Sequence, residues 1–134
     1  MEKLNIEPTL NTPRVSLDPE KNQFHFSGES RPEDVRNFYI PILEWLEKYV
    51  AELTTQDSKE GKSVREFHFN FEYFNSTSAK YILDLFKILS MLPTKGINTG
   101  IFWHYEEDDE DMLEVGMEMS RMSKLPFEYV KIEV

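Results

Sequence analysis

The chain has 134 residues, 40% of them apolar and 30% charged, with 15 basic residues against 25 acidic ones and a formal charge of −10. That length and apolar fraction fit a single domain over 1–134 with its own core and exclude wholesale disorder. The acidic balance would repel a phosphate backbone or an anionic lipid surface, and with no cysteine a disulfide framework, a thiolate metal site and a cysteine nucleophile are all excluded.

Residues Met1 to Asn11 carry no basic-then-apolar leader, and no apolar run reaches bilayer-spanning length, so a cytoplasmic protein without membrane or nucleic-acid partners is expected. The short alternating segments Arg14 to Asp18 and Gln23 to Ser27 flank Pro19-Glu20-Lys21-Asn22, whose turn formers predict a hairpin. Ser30 precedes Arg31-Pro32-Glu33-Asp34, and the hydroxyl, early proline and acidic residues together predict a helix start with Ser30 or Arg31 as cap. Val35, Phe38, Ile42, Leu46, Tyr49 and Leu53 then recur at spacings of three and four, flanked by Tyr39, Leu43 and Val50, which predicts a long amphipathic helix. Pro41 inside it predicts a kink or break. Thr54 to Ser63, polar and containing Gly61, predicts a loop.

In Val64 to Phe74 the aromatic residues Phe67, Phe69, Phe71 and Tyr73 alternate with Glu66, His68, Asn70 and Glu72, the period of a strand with one buried and one wetter face. Asn75-Ser76-Thr77-Ser78 follows at once, and Ala79, Ile82, Leu83, Phe86 and Leu89 mark a second helix ending near Pro93 to Gly96. Ile97 to Tyr105 predicts a strand with Ile101 and Trp103 toward the core. After the acidic run Glu106 to Asp111, Met112, Val115, Met119 and Met122 share one face of a third helix, and Phe127 to Val134 predicts a last strand. The order β-β-α-β-α-β-α-β implies a two-layer α/β fold: a mixed five-stranded sheet with helices mainly on one face, because the third predicted strand keeps one face polar.

On the residues alone, ordinary N-capping accounts for the hydroxyl cluster Ser76, Thr77 and Ser78. A helix start also tolerates an added phosphate, since its unpaired N–H groups and its dipole both favour an anion. The element order, with hydroxyls opening the helix after the third strand, resembles the STAS-type anti-sigma-factor antagonists at the level of fold. A resemblance covering nearly the whole chain is to the SiaC-type family of bacterial regulatory phosphoproteins. It is carried by Thr12-Pro13, Gly28-Glu29-Ser30 with Pro32-Glu33, Phe38 to Leu46, Tyr73-Phe74-Asn75-Ser76-Thr77-Ser78 and Trp103-His104-Tyr105. That resemblance implies a protein that is not an enzyme and needs no cofactor, with Ser76 as phosphoacceptor and Thr77 as the fallback. It further implies a dedicated Ser/Thr kinase and phosphatase, and a diguanylate cyclase bound when the chain is unphosphorylated, with Asn75, Thr77, Ser78 and Lys80 beside the switch as partner-binding residues.

Other features admit plainer accounts. The acidic run lacks the alternating ligands, glycine and distal glutamate of a calcium loop, and first-turn acids suit a helix dipole. His25, His68 and His104 share the polar phase of their strands, so a small metal-dependent enzyme using the three histidines is an alternative reading, as is an anti-sigma antagonist. Scattered surface histidines are the commoner arrangement. The methionine stripe reads first as core, and no glycine-rich phosphate loop or nucleophile elbow is present.

Overall fold

The computed structural model describes residues 1–55 and 64–134; the loop expected over Thr54 to Ser63 lies, from Gln56 onward, outside the described residues. The elements in chain order are β1 (Leu4–Ile6), β2 (Arg14–Asp18), β3 (Gln23–Ser30), α1 (Val35–Thr55), β4 (Arg65–Phe74), α2 (Ser76–Leu89), the single turn α3 (Met91–Thr94), β5 (Thr99–Glu106), α4 (Glu110–Ser123) and β6 (Glu128–Ile132). The strands form one sheet in sequential order β1 to β6. Connections without a helix join β1, β2 and β3 as antiparallel neighbours, whereas the helical crossovers make β3, β4, β5 and β6 parallel. Because each crossover advances one strand in the same direction, the right-handed rule sends every helix to the same face.

That face holds the core. Val15, Leu17, Phe24, Phe26, Phe67, Phe69, Ile101 and Trp103 are all at most 1% exposed beneath the helices, while Ser16, His25, His68, Phe102 and His104 lie on the alternate, helix-free phase. The two-layer arrangement is as expected, but among the described residues the sheet has six strands, not five. The additional strand, Leu4-Asn5-Ile6, is too short for alternation to register, and it pairs Leu4 with Leu17 and Ile6 with Val15. The Trp45 indole N–H fastens the segment just before it by donating to the Glu2 carbonyl at 2.9 Å.

Three local expectations are corrected. The first helix does not begin at Ser30 or Arg31: Ser30 is the buried last residue of β3, and Asp34 accepts from the Asn37 amide at 3.1 Å. Pro32 disfavours the helical region for Arg31, so the start moves to the next side chain able to cap. Of the kink or break expected at Pro41, the break does not occur, for one helix runs through it. In α4 the buried positions are Met112, Gly116, Met119 and Ser123, with Met122 41% exposed. Ser123, one turn beyond Met119, takes the inward position and satisfies its hydroxyl on the Met119 carbonyl at 2.7 Å. Among the described residues no helix is long and apolar enough to cross a membrane.

Candidate functional site

The junction between β4 and α2 is shaped by an irregularity that no periodicity reveals. β3 and β4 pair in register up to Gly28 and Phe71, and then Glu29 pairs with Tyr73, so Glu72 is an extra residue on the β4 side. Such a bulge turns the following side chains over. Tyr73, on the expected core phase, is 49% exposed, while Phe74 turns inward against Phe71 and Trp103 with ring centroids 5.4 and 6.3 Å apart. Gly28 sits beside the shift at φ +104°, a conformation that an L side chain rarely adopts.

Past Phe74, Asn75 caps α2 from an extended conformation, its side-chain oxygen accepting from the Ser78 amide at 2.9 Å and from the Thr77 hydroxyl at 3.0 Å. Three hydroxyls in a row thereby acquire three different situations. Thr77 is exposed but spent on the cap. Ser78 is fully buried and donates to the Ser30 carbonyl at 2.9 Å. Ser76 is exposed on the first residue of the helix, and among the described residues its hydroxyl engages no neighbour.

Beneath this turn lies a buried polar knot. The Ser30 hydroxyl donates to the Ser78 hydroxyl at 2.9 Å and in turn accepts from the Tyr39 phenol of α1. The Asn75 amide adds a backbone bond to the Ser30 carbonyl at 3.1 Å. Burial pushes the Tyr39 phenol up to about 12, so it stays protonated as the donor this chain of bonds requires. Every buried hydroxyl here is paired, which removes the desolvation penalty of an orphan. The effect is to pin the start of α2 to β3 and α1. Sequence reasoning missed this support: Ser30 looked like a helix cap and Tyr39 like a member of an apolar stripe. Ser78, expected on the partner-facing surface, is instead sealed inside. Lys80 is exposed one turn after Ser76, 3.9 Å from Asp84 and 5.0 Å above the centre of the Tyr81 ring.

The three histidines do converge. Rings of His25 and His68 stack at 4.9 Å, His68 stacks on Phe102 at 4.7 Å, and His68 Nδ1 lies 3.0 Å from His104 Nε2. Glu66 approaches the other His68 nitrogen at 3.3 Å. They face solvent on the helix-free side of the sheet, and among the described residues no group of three or more histidine, aspartate and glutamate side chains is placed to hold a metal ion. Among the described residues the metal-dependent reading thus has no assembled site. Burial first, and the charge of His68 second, lower the pKa of both His25 and His104. A histidine whose folded pKa is lowered binds protons more readily when unfolded, so its stabilisation is complete above the unfolded value of about 6.5 and declines as pH falls below it. Urea unfolding at pH 7 and pH 5 should therefore show a larger loss of stability in the wild type than in a His25→Gln/His104→Gln variant. Equal losses would mean that the row has no such effect.

The acidic run plays the structural part open to it from the sequence. Asp109 caps α4 by accepting from the Met112 amide at 3.0 Å, Glu110 and Asp111 occupy the first turn, and Glu107 accepts from the Val134 amide at 3.1 Å.

Comparison with known proteins gives a consistent answer. A family model described as SiaC family regulatory phosphoprotein matches residues 6–132. An uncharacterised protein of Pseudomonas aeruginosa is 24% identical over 127 residues, covering 95% of this chain and 94% of its own. Among solved structures, apo-SiaC from Pseudomonas aeruginosa superposes with a TM-score of 0.79 at 24% identity, over 97% of this chain and 99% of that one. The structure of the diguanylate cyclase SiaD in complex with its activator SiaC, from the same organism, contains a chain that superposes with a TM-score of 0.82 at 23% identity, over 96% of this chain and 99% of that one.

Proposed function

The chain belongs to the SiaC family of regulatory phosphoproteins, and from that premise we propose that it is a non-enzymatic bacterial signalling domain, acting in the cytoplasm, whose switch is reversible phosphorylation of Ser76. In this reading the unphosphorylated form docks on a diguanylate cyclase and regulates it, as SiaC is the activator of SiaD. A Ser/Thr kinase and a phosphatase set the balance. Asn75, Thr77 and Lys80 form the docking surface around the switch, and Ser78 serves it from within by holding the turn.

The observation that carries the assignment is the division of labour among the hydroxyls. Of the three, Ser76 alone is exposed and has no partner among the described residues, for Thr77 donates to the cap and Ser78 is buried. A kinase must bring a serine oxygen to a γ-phosphate, and that approach costs no internal hydrogen bond at Ser76. Radiolabelled ATP added to an extract of the native cells tests this. Phosphate should enter wild-type and Thr77→Val protein and fail to enter Ser76→Ala. Labelling lost on Thr77→Val and retained on Ser76→Ala would move the acceptor to Thr77.

A further inference from the structure

The knot beneath α2 leaves the backbone around Ser76 little freedom to rearrange. Asn75 is fixed by its amide bond to Ser30 and by its cap to Ser78, and Ser78 is fixed by two bonds to Ser30. The unpaired amides and dipole of the helix start favour a phosphoryl group on Ser76 in place, and a full counter-charge is left to side chains that can move. Within α2 the cations are Lys80 and Lys87. Lys80 lies four residues after Ser76, the spacing that puts two helical side chains on one face, with the anion N-terminal to the cation as the favourable order. Lys87 is almost two further turns away.

Two weak surface contacts hold Lys80 where it is, one of them with the Tyr81 ring, whose centre lies 5.0 Å from its ammonium. Its ammonium nitrogen is 3.9 Å from the Asp84 carboxylate, at the outer limit of an ion pair, and the lysine side chain is 73% exposed. Such a pair is worth little in water. A phosphoserine carries roughly −1.5 to −2 charges against the single charge of a carboxylate, with three acceptor oxygens.

We propose that Lys80 is the internal counter-ion of phosphorylated Ser76, leaving Asp84 for the phosphoryl group. The switch then acts twice on one surface, since modification adds an anion and withdraws the cation nearest to it in the helix. Lys80 is a positioning residue for the phosphorylated state and a docking residue in the other. The inference rests on Ser76 as the modified residue, but its test needs neither kinase nor partner.

Phosphoserine is placed at position 76 of the full chain by translational incorporation, and its second ionisation is followed by phosphorus NMR. An adjacent ammonium favours the dianion, so Lys80→Gln should raise the phosphate pKa by roughly 0.2 to 0.4 of a pH unit, and Lys87→Gln should leave it unchanged. The nitrogen-15 shift of the Lys80 ammonium should also respond to the phosphate titration. An identical phosphate pKa in wild type and Lys80→Gln, or an equal rise for Lys87→Gln, would overturn the pairing. Because the phosphoserine is installed synthetically, that result would leave the identity of the natural acceptor untouched, just as a different natural acceptor would leave the measured pairing intact.

Discussion

Trp103→Ala should cost this fold about 3–5 kcal/mol, the range for deleting a buried large aromatic, and lower the melting temperature by on the order of 10 °C or more. Trp103 is 1% exposed and sits where four elements meet. Its ring lies 6.2 Å from Phe71, 6.3 Å from Phe74, 6.0 Å from Phe86 and 5.8 Å from Phe127, and its N–H donates to the Met112 carbonyl of α4 at 2.9 Å. The complementary test is Gly116→Ala. In an exposed helix that change stabilises by roughly 0.5–1 kcal/mol. Here the new Cβ would stand 2.5 Å from the indole ring, a rigid body hemmed in by aromatics. The sign should invert to a loss of about 1–3 kcal/mol. Chemical denaturation of both variants checks the pair, and a stabilised Gly116→Ala would show that α4 slides freely over the sheet.

On the proposed function, Ser76→Asp should weaken binding to a diguanylate cyclase partner about tenfold or more, while Ser76→Ala should stay within about twofold of wild type. Tenfold corresponds to 1.4 kcal/mol, and repulsion from one like charge 10 Å away at an effective dielectric of 20 is about 1.7 kcal/mol, so a single carboxylate suffices. The folded chain itself should not object. An acid on the first residue of a helix is favoured by the dipole by about 0.3–1 kcal/mol, and Ser76 engages no neighbour among the described residues that the change would orphan. Binding that falls while stability holds or rises separates a charge effect at the surface from unfolding. Calorimetric titration of both variants, beside their denaturation curves, supplies the comparison, and equal affinities would reject the switch.

The large features of the fold were legible because they are periodic. Alternation through Phe67, Phe69 and Phe71, and the stripe from Tyr39 to Val50, fixed faces that the structure confirms as buried. What escaped was aperiodic. Leu4–Ile6 is too short to alternate, and its strand exists because β2 offers an edge. Tyr73 reads as core until the extra residue Glu72 turns it outward, and that bulge depends on pairing with Gly28 and Glu29, far away in sequence. The candidate site divides in the same way. Asn-Ser-Thr-Ser at a strand-to-helix junction is visible in the chain, but the separate fates of its three hydroxyls are set by Ser30 and Tyr39, which no local pattern links to them.

The account turns on whether a phosphate on Ser76 decides who docks. The direct measurement is phosphate occupancy at that residue, by mass spectrometry, in two fractions of the chain drawn from the same native cells: molecules bound to the diguanylate cyclase and molecules free of it. The bound fraction should lack the modification and the free fraction should carry it. Equal occupancy in the two fractions would contradict the switch.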